Sequence, residues 1–299
     1  MTASREQHDH GCAPPEVNPH VPNPARIYDF FLGGKDNFAA DREAAASVVE
    51  AYPVMPRTAR ENRAFLGRAV RFLAGRGVRQ FIDVGCGLPT ADNTHQIAHR
   101  AAPGSEIVYV DNDPVVLVHA CALLHGEETR TPTAVVEGDL REPKGILSHP
   151  DVRASIDFTR PVGLLLVAVL HFLRDTEDPA GIIATLTAAT VPGSYVVVSH
   201  ATGDTDPQMA AEAASVYDTA SAPLVLRSHA QVTTLLDGLD LVEPGVVRIP
   251  QWQPEPTSPP DPGDPWAHAL THPMDVWGYA AVARKPGLAR RTPSRAGDG

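Results

Sequence analysis

From residue 78 onward the chain alternates short apolar runs with stretches of helical length, and this alternation limits the fold more than any other feature. The runs cover 80–84 (QFIDV), 107–111 (IVYVD), 134–137, 163–169 (GLLLVAV) and 194–199. Two of the intervening helices have explicit starts, Asp113-Pro114 before VVLVHACALL and Asp178-Pro179 before AGIIATLTAA. In each, the Asp side chain can accept from the unpaired N–H groups of the first turn. Pro takes the first helical position, where it has no N–H to lose. Strands joined through helices form a mostly parallel sheet with helices on both faces. The fourth run is apolar on both sides, as a central covered strand must be. Two later strand candidates, 241–249 and 276–284, have no helix between them and are expected to pair antiparallel at one edge. The strand ending near residue 249 should then run with the main sheet.

Residues 24–76 read as helical. The segment 25–32 carries Ile27, Phe30 and Phe31, and Gly33-Gly34 is a plausible stop. The segment 41–51 is Ala-rich, and 58–74 places Leu66, Val70 and Leu73 on one helical face. The expected organisation is a single domain over 25–284, with a helical cap (25–76) on an α/β core (78–284). A disordered arm (1–24) and tail (285–299) flank it. Proline is abundant, 29 residues of 299, and dense in the arm and in the loop 250–265.

Composition excludes several classes. At 299 residues and 43% apolar content the chain can bury a core without disulfides or metals. Its three cysteines, Cys12, Cys86 and Cys121, form no CxxC and no disulfide framework, so a reducing, cytoplasmic setting is expected. A net charge of -11 argues against a general nucleic-acid binder. The longest apolar run, 162–170, is nine residues, too short for a bilayer, and the polar N-terminus has no secretory h-region. His8, His10, Cys12 and His20 are conceivable metal ligands, but they sit in a Pro-rich arm with nothing to orient them, and no metal is expected.

Three strand ends carry chemistry. The first is Asp83-Val84-Gly85-Cys86-Gly87-Leu88-Pro89-Thr90, at the turn where an open α/β sheet lays ligands against bare backbone. Gly85 and Gly87 remove side chains there; the plain alternative is a tight strand-to-helix turn. A dinucleotide loop would want GxGxxG, and the third glycine position is Thr90. The second is Asp111, 24 residues after Gly87, an acid placed to accept two hydrogen bonds from vicinal ribose hydroxyls. The third is Gly138-Asp139-Leu140.

The acidic-x-Gly-x-Gly loop followed by acids at the next two strand ends resembles class I S-adenosylmethionine-dependent methyltransferases. The stretch Pro22–Phe38 (PNPARIYDFFLGGKDNF) narrows the resemblance to an actinobacterial group now named the S-adenosyl methyltransferase family. GDLREP (138–143), AVLHFL (168–173) and GSYVVVSHAT (193–202) fit it too. The resemblance covers roughly residues 22–284. It implies a Rossmann-like sheet with an antiparallel last strand and an N-terminal helical extension. S-adenosyl-L-methionine is the implied cofactor, held by Asp83, Gly85, Gly87, Asp111, Asn112, Asp139, Leu140 and Ala168. In that reading Asp139 faces the adenine amino group. No acceptor follows from it; a small secondary metabolite is the expected class, with no nucleic acid or membrane partner. The alternative is a protein that binds S-adenosylmethionine as a sensor, or acts through a partner, without turnover.

Methyl transfer from a sulfonium is an in-line displacement, so the protein chiefly aligns the two reactants. A base is needed only where the nucleophile carries a proton. His171 and His200, each just after a strand, are the candidate bases, against the plainer reading that each caps or packs beneath the cofactor. One of Arg60, Asn62 and Arg63, on the helix before the first strand, could pair with the methionine carboxylate, against the plainer reading of solvated surface arginines. Tyr28, Gly33-Gly34-Lys35 and Asn37 suggest a lid, or equally a core helix with a glycine stop. Trp252 and Trp266 flank the Pro-rich loop; with Tyr28 and Phe31 they are expected to wall the acceptor pocket, or else to tuck into the domain edge.

Overall fold

The computed structural model describes residues 17–90, 92–126, 133–254 and 275–287. Among the described residues eight strands form one sheet: β1 Gln80–Val84, β2 Glu106–Asp111, β3 Thr133–Glu137, β4 Gly163–Val167, β5 Tyr195–His200, β6 Asp240–Leu241, β7 Val247–Arg248 and β8 Tyr279–Arg284. Their order is β3-β2-β1-β4-β5-β8-β6, with β7 also on β8. The pairings among β1 to β5 are parallel, and β8 runs antiparallel to β5, β6 and β7. The carboxyl ends of the five parallel strands therefore share one edge. Reversal of chain order between β1 and β4 opens the crevice there, where ligands of such sheets lie.

The alternation of side chains along the strands divides the core. Phe81, Ile107, Leu165, Val197 and Val282 face one layer, and Ile82, Val108, Leu164, Val198 and Ala281 face the other. The first face is covered by α3 (Met55–Gly75), whose Phe65, Leu66, Ala69, Val70 and Leu73 make an apolar stripe at helical spacing. The other two cap helices, α1 (Pro24–Phe31) and α2 (Ala39–Ala51), do not touch that core. Ile27, Phe31, Ala45 and Val48 instead pack with Ala210, Ala213, Tyr217 and Trp277, so the cap closes over the carboxyl edge of the sheet. The remaining helices are α4 (Thr94–Ala101), α5 (Pro114–Gly126), α6 (Pro143–Ser148), α7 (Pro150–Ser155), α8 (Pro179–Ala188), α9 (Pro207–Ser215) and α10 (His229–Thr234). The two expected Asp caps form: Asp113 accepts from Val115 N and Asp178 from Gly181 N.

Four boundaries differ from the sequence reading. The arm does not extend to residue 24 as disordered chain, because 17–24 is packed: Ser221 N donates to Pro22 O, and Asn23 accepts from Ala25 N as the α1 cap. Residues 1–16, with His8, His10 and Cys12, lie outside the described residues. At the other end Lys285 is not frayed, since its ammonium donates to the carbonyls of Thr187 and Thr190 that close α8. The candidate 241–249 is two short strands, because Pro244 offers no ladder N–H and Gly245 turns at φ +85°. The fourth strand ends at Val167, since Ala168 takes a left-handed φ of +57°. Among the described residues no helix is long and apolar enough to cross a membrane, and no group of three metal-ligating side chains converges.

Candidate functional site

The loop after β1 and the acid ending β2 form one hydrogen-bonded unit. Asp111 Oδ2 accepts from Gly87 N and Oδ1 from Asp113 N, each at 2.9 Å. Burial raises the Asp111 pKa, and these two N–H groups oppose the rise. The two glycines differ in what they permit. A Cβ on Gly85 would stand 2.4 Å from Val169 Cγ2, so its glycine is required by the loop after β4. Gly87 has φ +67° and nothing within 4 Å of its absent Cβ. Its missing side chain leaves open space on the wall of a cavity.

That cavity has a volume of about 600 Å³, within the usual range for small-molecule sites. Of the residues expected to hold the cofactor, Gly85, Gly87, Asp111, Asn112, Asp139, Leu140 and Ala168 line it. Asp83 does not. It lines a separate void of about 20 Å³ with Arg63, Cys86 and Thr94, and Thr94 Oγ1 donates to it at 2.6 Å. Desolvation pushes its pKa up to about 6, against that hydrogen bond and the Arg63 charge. Its assignment as a direct cofactor contact is therefore corrected to a buried support of the loop. At the end of β3, Asp139 accepts from Asn112 Nδ2, Arg141 N and the Arg141 guanidinium. Partial burial works to raise its pKa, but these donors and the Arg141 charge bring it below the usual value. Ala168 presents a strained backbone to the cavity, its N–H held by Ser199 Oγ at 2.9 Å.

Beyond the ends of β4 and β5 the same cavity continues beneath the cap. Tyr28 and Phe31 line it. The Tyr28 hydroxyl donates to Ala59 O and accepts from Asn62 Nδ2, both at 2.9 Å. Desolvation raises its pKa. Asn62 and Arg63 line the cavity and Arg60 does not. Trp252 is a correction. Its ring is fully buried, edge-on to Phe65 and Phe72, and its carbonyl accepts from Arg68 Nε. The short turn at Ile249–Gln251 tucks it under α3, away from the cavity. Trp266 lies outside the described residues. The aromatic walls that sequence reasoning missed are Phe172, Tyr217 and Trp277. Only Trp277 carried a local signal, a tryptophan at the start of an expected strand.

Both histidines line the cavity, but their hydrogen bonds do not suit a base. His200 Nδ1 meets Ala201 O at 2.7 Å, so that nitrogen carries the proton. Its other nitrogen accepts from Arg227 Nη1 at 2.8 Å, which occupies the lone pair. Desolvation lowers the His200 pKa to about 3, and the Arg227 charge adds to that. His171 Nδ1 accepts from Ala201 N at 3.2 Å, which leaves the proton on Nε2. Its pKa falls well below the ordinary value through burial, then His200 and Arg227. The expectation of a catalytic base is corrected at both positions: each ring is a neutral, oriented hydrogen-bonding group.

A sequence model described as S-adenosyl methyltransferase matches residues 10–286. The chain belongs to that family. It is similar to a DUF574-family protein from Streptomyces avermitilis, with 40% identity and a TM-score of 0.81 over 89% of this chain and 98% of that one. It is also similar to a candidate methyltransferase from Thermobifida fusca, 38% identical, TM-score 0.81, over 92% and 98% of the two chains. Comparison with proteins of curated function gave no match. The fold is the class I methyltransferase sheet, and the protein is an S-adenosylmethionine-dependent methyltransferase.

The methyltransferase cavity fits this cofactor on two structural points. Open space at Gly87 leaves the backbone approachable. A carboxylate offers roughly four lone-pair sites. Asp111 lines the same cavity, and beside its bonds from Gly87 N and Asp113 N and a longer contact from the Cys86 thiol at 3.9 Å it keeps acceptor capacity toward a hydroxyl.

Proposed function

We propose that the enzyme methylates a small, largely apolar acceptor bound under the helical cap, next to S-adenosylmethionine on the glycine-loop side. The observation that carries this is the continuity of the cavity. One space of about 600 Å³ runs from Gly87 and Asp111 to Tyr28, Phe172, Tyr217 and Trp277. The aromatic end supports a flat or apolar acceptor, because such side chains supply large contact area with few rotatable bonds to freeze. A secondary metabolite is a chemically suitable class.

When bound, S-adenosylmethionine supplies a sulfonium methyl group that a nucleophile displaces in line. In this reading Asp111 accepts the two ribose hydroxyls, and Asp139 with Asn112 and Leu140 borders the adenine. The backbone at Gly85, Gly87 and Ala168 lets the ligand lie close. Arg63 would pair with the methionine carboxylate; it lies on the cavity wall, and its charge reaches Tyr28, Asp83 and Cys86. His171, with its proton on Nε2, would donate to the acceptor and orient it. Alignment of this kind supplies the larger part of catalysis in a displacement on an already activated methyl.

The test uses methyl-labelled S-adenosylmethionine with small-molecule fractions from an actinobacterial culture. Label appearing in a low-mass product, with stoichiometric adenosylhomocysteine, is the expected result. If adenosylhomocysteine binds but no fraction ever yields labelled product, the sensor reading replaces this one.

A further inference from the structure

Arg26, on α1, is 4% exposed and meets three separate parts of the chain. Its Nε donates to Asp41 Oδ2 at 2.8 Å. Its Nη2 donates to Val21 O at 2.8 Å, in the segment that lines the cavity before α1. Its Nη1 stands 3.6 Å from Asp113 Oδ2. That oxygen is buried and has no hydrogen-bond partner, so the Arg26 charge is what offsets it. Asp113 is not a remote acid. Its backbone N–H donates to Asp111 Oδ1 at 2.9 Å, and its other oxygen caps α5 through Val115 N at 2.7 Å.

The chain of contacts runs from the cap to the acid at the end of β2. Asp41, fully buried, also accepts from Asn23 N and Phe38 N, which fixes the entrances of α1 and α2 on the same guanidinium. An arginine suits this position because its planar fork can serve three directions at once, which a lysine cannot. A buried carboxylate is unfavourable without a cation, and Asp113 has this one at hand.

We propose that Arg26 is a positioning residue for the cofactor ribose: it holds the 111–113 turn, and through it Asp111, while its third arm holds the 18–21 segment against the cavity. This rests on the reading of Asp111 as the ribose acid. Cap docking and alignment of that acid are then a single event, which explains why an arginine of the helical extension belongs to the binding machinery of the sheet.

The test is calorimetric titration of the full chain with adenosylhomocysteine and with its 2′,3′-dideoxy analogue. Arg26→Gln is expected to weaken adenosylhomocysteine about tenfold, the scale of one lost charge-assisted hydrogen bond, and to leave the analogue within about twofold. Asp113→Asn keeps the α5 cap oxygen and needs no buried cation, so it remains testable where Arg26→Gln does not fold; it should show the same ribose-specific loss. Equal losses for the two ligands, or none, in a folded variant would overturn the proposal. A separate arm checks its foundation. If Asp111→Asn binds both ligands as the unaltered protein does, the ribose reading itself is wrong and the proposal goes with it.

Discussion

Asp111 Oδ2 accepts the backbone N–H of Gly87 at 2.9 Å, so the acid that ends β2 is also a strut of the loop that follows β1. The two strands are neighbours in register along their length, which brings these ends together without any long side chain. One substitution at Asp111 should therefore disturb both the ribose contact and the loop.

Asp111→Ala is expected to lose adenosylhomocysteine affinity by about 10- to 100-fold, from charge-assisted hydrogen bonds worth on the order of 1.5–3 kcal/mol. Calorimetry on a variant with native circular dichroism reads it. Unchanged affinity would remove Asp111 from the site.

The two loop glycines should separate stability from binding. In Gly85→Ala the new Cβ meets Val169 Cγ2 at 2.4 Å in a backbone of φ +70°, so packing and backbone both oppose it. Gly87→Ala meets nothing within 4 Å and suffers only its φ of +67°. A left-handed alanine costs roughly 1–2 kcal/mol. Gly85→Ala should show the larger drop in Tm, and Gly87→Ala, for its smaller drop, a loss of cofactor affinity. The reverse ranking in Tm would contradict the packing argument.

The sheet was legible because the parallel strands carry their own evidence in apolar runs and two of the crossover helices in their Asp-Pro starts. The closeness of Asp111 and Gly87 was legible because both sit at the carboxyl ends of adjacent parallel strands, β2 and β1. What could not be read was whatever depends on a partner distant in sequence. His200 looked like a base from its place after a strand, but Arg227 occupies its lone pair. Trp252 looked like a loop aromatic, but Phe65 and Phe72 take its ring. Asp83 opens the glycine motif in sequence but lies in β1, and its carboxylate, bonded to Thr94, faces a separate void. Phe172, Tyr217 and Trp277 reach one cavity from three segments, and no spacing rule links them.

Trp252 then makes a clean contrast. Its side chain is wholly buried among α3 aromatics and does not line the cavity. Trp252→Ala should cost about 3–5 kcal/mol of stability. Adenosylhomocysteine affinity, measured where the variant is still folded, should stay within about twofold, well under the 1.4 kcal/mol of a tenfold change. A large affinity loss without loss of stability would return Trp252 to the pocket.

The last expectation concerns acid. His200 titrates near 6.5 when unfolded and near about 3 in the fold, lowered first by burial and then by Arg227. Between those values the unfolded chain binds the proton and the native protein does not, so unfolding gains protons and stability rises with pH. The contribution is complete above about 6.5 and is lost progressively as pH falls toward about 3. His171, also lowered and 5.5 Å from His200 between ring centres, acts in the same direction. Asp175, which accepts from Arg227, opposes the fall in the His200 pKa without reversing it. The slope from one such group is at most about 1.4 kcal/mol per pH unit. In His200→Gln the amide can still donate and accept, but it cannot titrate. Urea unfolding at pH 7 and pH 5 should show a smaller loss of stability on acidification for the variant than for the unaltered protein. Identical losses in the two proteins would mean that His200 takes up its proton in the folded state, and that the Arg227 contact does not hold its lone pair.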